Sequence, residues 1–230
     1  MSKFKIKSRK TNNSFPNIKI ALRKWIIEHI KNPYVLDVYG WNGLMYEKIW
    51  KTNSRHYRHS EGDALDWLAR EKIFAENIFD VDPYASPFEA IEIICKKCTS
   101  DFIGISATDG MLRRVSMMRT KLPEFIRVRC GWPERDLKLM AGIYNQYPAF
   151  LRHVIKSIAP NYDIEKLVVK YCEGTWKQAT VYFGVILKMR TSCAKANSPA
   201  QNTMEICHTA PNSAMLQGLK PHAGGTGTSA

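Results

Sequence analysis

The sequence predicts an α/β fold in which helices cover both faces of a sheet and an antiparallel hairpin follows at the C-terminal end. The main reason is that apolar, strand-like runs end at a carboxylate beside helix-like runs, most clearly at residues 79–87 and 101–110. A second reason is a pair of β-rich runs, residues 164–171 and 179–189, which a short polar segment separates. In open sheets of this kind, ligands bind just outside the carboxyl ends of the strands.

The chain begins with a basic segment, residues 1–16, which we predict to be a flexible arm that contacts phosphates; a frayed terminus would have the same composition. A helix follows and ends at Asn32-Pro33, because proline disfavours helix in the residue before it. Its apolar side chains recur at helical spacing on one face. The side chains predicted to lie opposite, towards solvent, are Lys19, Arg23, Lys24 and Glu28.

The first strand, turn and helix come next. Residues 34–38 form a short apolar run that contains Asp37, residues 39–43 form a turn, and residues 44–50 are predicted to be helical. Gly40 and Gly43 would let a ligand approach the backbone, and the helix N-terminus offers amide donors. A plain tight turn would explain the same glycines, but their position after the first strand favours a binding turn.

The following segment is shorter than this type of fold usually requires. Residues 51–60 are basic and show neither alternation of apolar and polar residues nor a terminal carboxylate. Either they hold a very short strand, or one β–α unit is missing. Gly62-Asp63-Ala64, which precede an amphipathic run, are predicted to be the end of a further strand.

Asp82-Pro83-Tyr84 follow the next apolar run. Pro83 fixes its own φ and favours an extended Asp82, which would hold the Asp82 carboxylate and the Tyr84 ring at a crevice. An aspartate here, considered alone, can equally be a cap or turn residue. Helices are predicted over residues 88–98 and 137–159, with a strand over residues 101–110 between them.

Positive charge is the strongest compositional signal. The net charge is +13, and nearly all of it lies before residue 191. Basic residues that alternate with methionine and aromatic residues after position 112 favour a nucleic-acid-binding surface over a merely solvated one. The candidate binding residues are Arg113, Arg114, Arg119, Lys121, Arg127 and Arg129.

Other features exclude several classes of protein. No apolar run reaches the roughly 18 residues of a membrane span, and no apolar segment follows the basic N-terminus as in a secretory signal. Six cysteines without framework spacing indicate free thiols in a reducing compartment, so a cytoplasmic location is expected. Cys95 and Cys98 form a lone CxxC, and without a second pair no metal site is predicted. Residues 191–230 are predicted to be a disordered tail.

These motifs, in this order, resemble those of class I S-adenosylmethionine-dependent methyltransferases, and the resemblance covers a catalytic domain at residues 17–190. Asp37 with Gly40-x-x-Gly43 resembles the cofactor-binding first motif, and Gly62-Asp63-Ala64 resembles the strand end that flanks the adenine. Asp82-Pro83-Tyr84 resembles the motif of enzymes that methylate exocyclic base amines. Together with Thr108-Asp109, residues 80–87 resemble most closely the tRNA guanine-N2 dimethyltransferase family.

The resemblance implies a Rossmann-like methyltransferase sheet that lacks one β–α unit if residues 51–60 hold no strand. It implies S-adenosylmethionine as cofactor and Asp82, Pro83 and Tyr84 as catalytic residues. Glu61 would replace the family's ribose-binding acid, whose region is shortened here. The implied cofactor-binding residues are Asp37, Gly40, Asn42, Gly43, Glu61, Asp63 and Ala64.

Three functions remain as hypotheses at this point. The first is a methyltransferase for an exocyclic base amine, with guanine N2 in tRNA as its target and RNA favoured over DNA as partner. The second is a DNA amino-methyltransferase acting on adenine N6, because related Asp-Pro-Pro-Tyr motifs serve that reaction. The third is a methyltransferase-like module that binds nucleic acid or protein without catalysis, which the short 51–60 segment favours. None of the three predicts an oligomeric state.

Overall fold

One six-stranded sheet forms the centre of the protein in the computed structural model, which describes residues 15–40, 45–111, 123–130, 143–172 and 180–190. All of the strands belong to one structural unit, Met1–Ala196. The strands are β1 (Tyr34–Asp37), β2 (His56–His59), β3 (Ile78–Val81), β4 (Phe102–Asp109), β5 (Tyr162–Tyr171) and β6 (Val181–Met189).

The strand order is β2-β1-β3-β4-β6-β5. The first four strands in this order are parallel, whereas β6 runs antiparallel to both β4 and β5. This arrangement confirms the predicted Rossmann-like α/β fold, including the antiparallel pair at its C-terminal end. The pair begins and ends within two residues of the predicted hairpin runs.

Helices lie between and beside these strands. They are α1 (Pro16–Ile27), α2 (a π-helical turn, Tyr46–Trp50, continued by Lys51–Asn53), α3 (Ala64–Arg70), α4 (Phe88–Lys97), α5 (Glu124–Cys130) and α6 (Tyr147–Ile158). The helix predicted over residues 137–159 is interrupted at Gln146, which has a non-helical φ of −119°, so that α6 begins at Tyr147. No helix in the described ranges is long and apolar enough to cross a membrane.

The segment of residues 51–60 contains a very short strand, one of the two predicted alternatives: the four-residue β2. It was hard to recognise because β2 is an edge strand that pairs only with β1. Its side chains are exposed or half-buried, so no apolar pattern marks the strand in the sequence. The prediction that Gly62-Asp63-Ala64 end a further strand was wrong. These residues follow β2 directly, and the Asp63 carboxylate accepts hydrogen bonds from the Leu65 and Asp66 amides to cap α3.

In the part of the chain that the structure describes, the sheet also lacks one β–α unit of the doubly wound arrangement. In the doubly wound arrangement a third strand lies outside the second one. Here the chain leaves β2, forms α3 and enters β3, and the continuous stretch of residues 45–111 places no strand outside β2. The sheet therefore ends at β2 on this side.

Two apolar layers cover the faces of the sheet. On one face, α1 and α2 pack Ile26, Ile49 and Trp50 against Val35 and Ile78. The larger layer on the other face joins α3, α4 and α6 to the alternate side chains of β1, β3, β4 and β6. Because side chains alternate along a strand, Asp37 and Asp80 point towards the face that α1 covers, next to the apolar Val35 and Ile78.

Candidate functional site

The candidate site lies where the chain changes direction across the sheet. After β1 the chain forms β2 on one side, and then crosses to form β3 on the other side of β1. Ligands in open α/β sheets bind at such a switch point, outside the carboxyl ends of the strands. Asp37 ends β1, and Asp80, its register partner, lies next to the end of β3. Asp82 is the residue after β3, so three carboxylates meet at this switch point.

Asp80 is held by a buried arginine. Arg23 donates from Nε to Oδ2 of Asp80 at 2.6 Å and from Nη2 to Oδ1 at 2.5 Å. The Trp50 indole also donates to Oδ2, at 2.9 Å. Burial lowers the pKa of Arg23, but the carboxylates of Asp80, Asp82 and Asp37 raise it more, so the net shift is upwards. Asp80 is thus a satisfied structural carboxylate that no longer needs a ligand.

Asp82 contacts the other buried cation of α1. The Lys19 ammonium donates to Oδ2 of Asp82, and only 5% of the lysine side chain is exposed. By contrast, 25% of the Asp82 side chain is exposed. Among the described residues, this contact is the one hydrogen bond of the Asp82 side chain, and it leaves Oδ1 without a hydrogen-bond partner. Asp82 can therefore still accept a hydrogen bond from a ligand.

Of the three carboxylates, Asp37 has the weakest contacts to offset its burial. It is buried, and its Oδ2 accepts a hydrogen bond from the Tyr57 hydroxyl at 3.1 Å. Burial raises the pKa of Asp37 well above its ordinary value, and the charge of Asp80 raises it further; Arg23 and the Tyr57 hydrogen bond oppose both effects. An additional cation at this position would favour the ionised form.

Gly40 makes room for this carboxyl group. A Cβ atom built on Gly40 would overlap the carboxylate of Asp37. The absence of a side chain at Gly40 is therefore explained by Asp37 itself, and the space beside the glycine is occupied in this structure. Asn42 and Gly43, the other predicted residues of the turn, lie outside the described residues.

Sequence reasoning missed the role of α1. Lys19 and Arg23 were predicted to face solvent, but they are 4% and 2% exposed. Helical periodicity assigns every charged residue to the outside, whereas here the sheet surface under α1 carries Asp80 and is followed by Asp82. The available signal was the i,i+4 spacing of two cations in a helix. It is matched by the i,i+2 spacing of Asp80, in β3, and Asp82, directly after it, which places both carboxylates on one side of the chain.

Pro83 and Tyr84 lie in the loop after β3, directly after Asp82. The loop after β3 is anchored to the tip of β4, because the Gly110 amide donates to the Ala85 carbonyl at 2.8 Å. A Cβ atom on Gly110 would lie 2.9 Å from the Tyr84 carbonyl oxygen, so the two loops are in close contact. The Tyr84 side chain is 67% exposed. An exposed aromatic ring beside Asp82 is available to a planar ligand.

Asp109 is the last residue of β4 and precedes Gly110, which contacts this loop. Its Oδ2 accepts a hydrogen bond from the Tyr147 hydroxyl at 2.6 Å, and its Oδ1 accepts one from the Met111 amide at 2.8 Å. Burial raises the pKa of Asp109 to about 6, although both hydrogen bonds lower it. Asp109 faces the core rather than the open edge, which makes it a structural group.

Glu61, Asp63 and Ala64 lie after β2, on the outer side of β1. Glu61 and Asp63 are exposed and Ala64 is buried. Glu61 borders a shallow groove that continues past Gly62 and Trp67 to residues 70–73. The two acidic residues therefore differ: the Asp63 carboxylate caps α3, whereas the Glu61 side chain is open to solvent.

The predicted nucleic-acid surface is only partly described. Arg113, Arg114, Arg119 and Lys121 lie outside the described residues. Arg127 and Arg129 are on α5, where Arg129 pairs with Glu92 of α4. The Nε atom of Arg127 is buried without a hydrogen-bond partner among the described residues. Arg129 therefore has a structural contact, which does not by itself assign it to an interface.

Cys95 and Cys98 are buried free thiols. Burial raises the pKa of both thiol groups, so neither is activated as a thiolate. Within the described ranges, no three His, Cys, Asp or Glu side chains converge as a metal centre would require.

Known proteins resemble this chain at the level of the fold. No protein-family model and no curated relative matches it. It is similar to the crystal structure of M. jannaschii TYW2 in complex with AdoMet, with 10% identity, a TM-score of 0.44, and 75% of this chain and 76% of that chain covered. It is also similar to the crystal structure of Thermoplasma acidophilum 1320, with 8% identity, a TM-score of 0.43, and 76% and 86% covered. Because these TM-scores and identities are low, the fold class rests on the strand order of this chain and the candidate site on its own contacts.

Proposed function

We propose that this protein is an S-adenosylmethionine-dependent methyltransferase that acts on an exocyclic base amine, with guanine N2 in RNA, such as tRNA, as its target. The observation that carries the proposal is the position of Asp37 and Asp82, at the carboxyl ends of adjacent parallel strands on either side of the switch point. This position offers one carboxyl group to a cofactor and the other to an acceptor.

The residues on the β1 side fit a cationic cofactor. Arg23 neutralises Asp80, so the buried Asp37 has no cation of its own in hydrogen-bond contact among the described residues. S-adenosylmethionine carries a sulfonium and an ammonium group and supplies an activated methyl group when bound. Asp37 would hold the cationic part, and the turn from Gly40 to Gly43, with Asn42, would offer main-chain groups. Movement of the Asp37 carboxylate away from Gly40 would open the space beside the glycine.

Glu61 is the proposed acid for the ribose, because it follows β2 and remains exposed. Ala64 provides a small buried side chain nearby. Asp63 would line the cofactor site only through its position two residues after Glu61, because its carboxylate already caps α3.

On the acceptor side, Asp82 accepts hydrogen bonds from the exocyclic amine. This interaction matters because the lone pair of such an amine is delocalised into the ring, and a carboxylate acceptor directs the group for reaction. Main-chain carbonyls near Pro83 accept the second hydrogen. The exposed Tyr84 ring stacks on the base, which must leave its helix to reach the site.

The basic composition supports a nucleic acid as the substrate. A net charge of +13 favours a polyanionic partner. Phosphate contacts are proposed for the basic arm of residues 1–16 and for the cluster of Arg113, Arg114, Arg119, Lys121, Arg127 and Arg129.

A second candidate is a methyltransferase-like module without catalysis. The observation that favours it is the internal pairing of the site: Lys19 contacts Asp82, Arg23 contacts Asp80, and the Asp37 carboxylate fills the space at Gly40. Calorimetric titration with S-adenosylmethionine distinguishes the two candidates. Binding supports the enzyme, whereas a folded protein that does not bind the cofactor would leave only the second candidate.

Methyl transfer from labelled cofactor then tests the substrate and the role of Asp82. We expect incorporation into total RNA and little into genomic DNA; the opposite preference would favour adenine N6 in DNA. Asp82→Asn should reduce transfer by about 100-fold or more, while the cofactor Kd stays within about 3-fold, because the amide no longer accepts at both positions. Asp66→Asn, an exposed position on α3, is the matched control. Full activity of Asp82→Asn would exclude its proposed role.

A further inference from the structure

Lys19 is an unusual residue for its place in the fold. Lysine is rarely buried without a partner, and Lys19 is 4% exposed on a helix that offers exposed positions on its opposite side. Its ammonium group contacts Oδ2 of Asp82, which belongs to a different element. The Tyr182 ring lies 6.0 Å from Lys19 Nζ and adds a weaker attraction.

Attachment of α1 to the sheet does not require Lys19. Arg23 already forms two hydrogen bonds to Asp80 within β3, and Leu22 and Ile26 bury the apolar face of the helix. The Nη1 atom of Arg23 also donates to the Lys19 carbonyl at 2.9 Å, which fixes the backbone of Lys19. The lysine therefore reaches beyond the strand end from a rigid base and contacts a carboxylate in the loop.

We propose that Lys19 is a positioning residue for the acceptor carboxylate, a role that rests on the methyltransferase function proposed above. The ammonium group contacts one oxygen of Asp82, Oδ2, and leaves Oδ1 of this 25% exposed side chain without a hydrogen-bond partner among the described residues. Because an ammonium group is a point donor rather than a planar fork, it can orient the carboxylate without occupying both oxygens. Lys19 thereby fixes Oδ1 in the direction from which the base amine arrives.

Lys19→Arg separates this role from a purely structural one. Arginine keeps the positive charge and the attachment of the loop, but its planar guanidinium group binds a carboxylate through both oxygens. We expect the variant to fold normally and to lose at least about 10-fold in kcat, with the KM for RNA and the cofactor Kd within about 3-fold of wild type. If the lysine were only structural, arginine would restore full activity, and wild-type kcat in Lys19→Arg would overturn the proposal.

Lys19→Met removes the charge altogether and provides a second variant. We expect an equal or larger loss in kcat, because Asp82 is no longer oriented. Lys24→Met, on the exposed side of the same helix, is the matched control and should retain wild-type kcat. Wild-type kcat in a folded Lys19→Met would also overturn the proposal.

The same experiments distinguish failure of this role from failure of the proposed function. A wild-type protein that transfers no methyl group to RNA or DNA overturns the function and, with it, the positioning role. A wild-type protein that transfers methyl groups, together with unchanged kcat in either Lys19 variant, overturns the positioning role alone.

Discussion

Asp109 is a buried carboxyl group whose titration can be followed through protein stability. Burial raises its pKa from 3.8 to about 6. Between about pH 4 and pH 6 the folded protein binds the Asp109 proton more tightly than the unfolded chain does, so the free energy of unfolding falls as the pH rises. The contribution is fully present below the unfolded pKa and lost above the folded one. Its size is on the order of 3 kcal/mol.

Asp109→Asn should remove this dependence. Asparagine can keep both contacts, since its carbonyl oxygen accepts from the Met111 amide and the Tyr147 hydroxyl can accept from its amide group. Urea unfolding between about pH 4 and pH 6 should show a flatter profile for the variant than for wild type. Asp101→Asn, an exposed residue before β4, serves as control. Parallel profiles for wild type and Asp109→Asn would contradict the assignment.

Gly40 provides a second test at the scale of one residue. Gly40→Ala should destabilise the protein by about 1–3 kcal/mol, because the new methyl group overlaps the buried Asp37 carboxylate. In an Asp37→Ala background the same change should cost markedly less, since the obstructing group is gone. Thermal unfolding of the four proteins in this cycle measures the difference, and equal costs in both backgrounds would mean that another contact excludes the side chain.

Single residues of the site were only partly predictable from sequence. Asp37 and Asp82 were found because each follows an apolar run, and a carboxylate at such a point is conspicuous. Lys19 and Arg23 were misplaced because their burial depends on which sheet face α1 covers. That choice is made by β4 and β6, far away in sequence, and no local pattern contains it.

At the scale of an element, α3 depends on its N-terminal cap. The Asp63 carboxylate accepts from the Leu65 and Asp66 amides at 3.0 and 3.1 Å. Asp63→Ala should cost about 1 kcal/mol, whereas Asp63→Asn, which can still cap, should cost little. Circular dichroism with chemical unfolding measures both. A fall in cofactor affinity for Asp63→Asn at unchanged stability would instead assign the residue to the cofactor.

Secondary structure was predictable where the chain is apolar and difficult where it is not. β3, β4 and β6 were recognised because buried strands must be apolar on the faces that they bury, and β5, at the other edge of the sheet, because it is long and rich in β-branched and aromatic residues. β2 could be predicted only as one of two alternatives, because a four-residue edge strand with partly exposed side chains carries little pattern. Arg58 shows the consequence: its charge is satisfied by Glu71 and Glu76, so a basic residue within a strand is stable there.

For the whole molecule, the pairing of Arg23 with Asp80 joins α1 to the centre of the sheet. Arg23→Met should destabilise the protein by about 3–5 kcal/mol, because Asp80 would stay buried without its partner. Lys24→Met, its exposed neighbour, should change stability by less than about 0.5 kcal/mol. Denaturant midpoints for the two variants compare these costs directly, and similar midpoints would show that Asp80 does not need the arginine.

The fold class could be predicted before the structure, but the strand order could not. Alternating strands and helices indicate an α/β sheet whatever the order of its strands. Placing β6 between β4 and β5 depends on pairing over long sequence distances. Asp37 and Asp82 could therefore be proposed as partners only through a family resemblance, whereas the sheet brings them together physically.

The contacts of α1 also determine when the domain can be completed during synthesis. This helix packs against β6, where Trp25 lies so close to Gly184 that a Cβ atom there would be 3.0 Å from its ring. Residues 16–27 are made long before residues 181–189, which form a large part of the surface that α1 covers. Asp80 and Asp82 are made well before β6, but the packing of α1, which carries Lys19 and Arg23, is complete only when β6 is in place. Completion of the packing around α1 therefore has to wait for β6, even though the carboxylates that α1 binds are made much earlier.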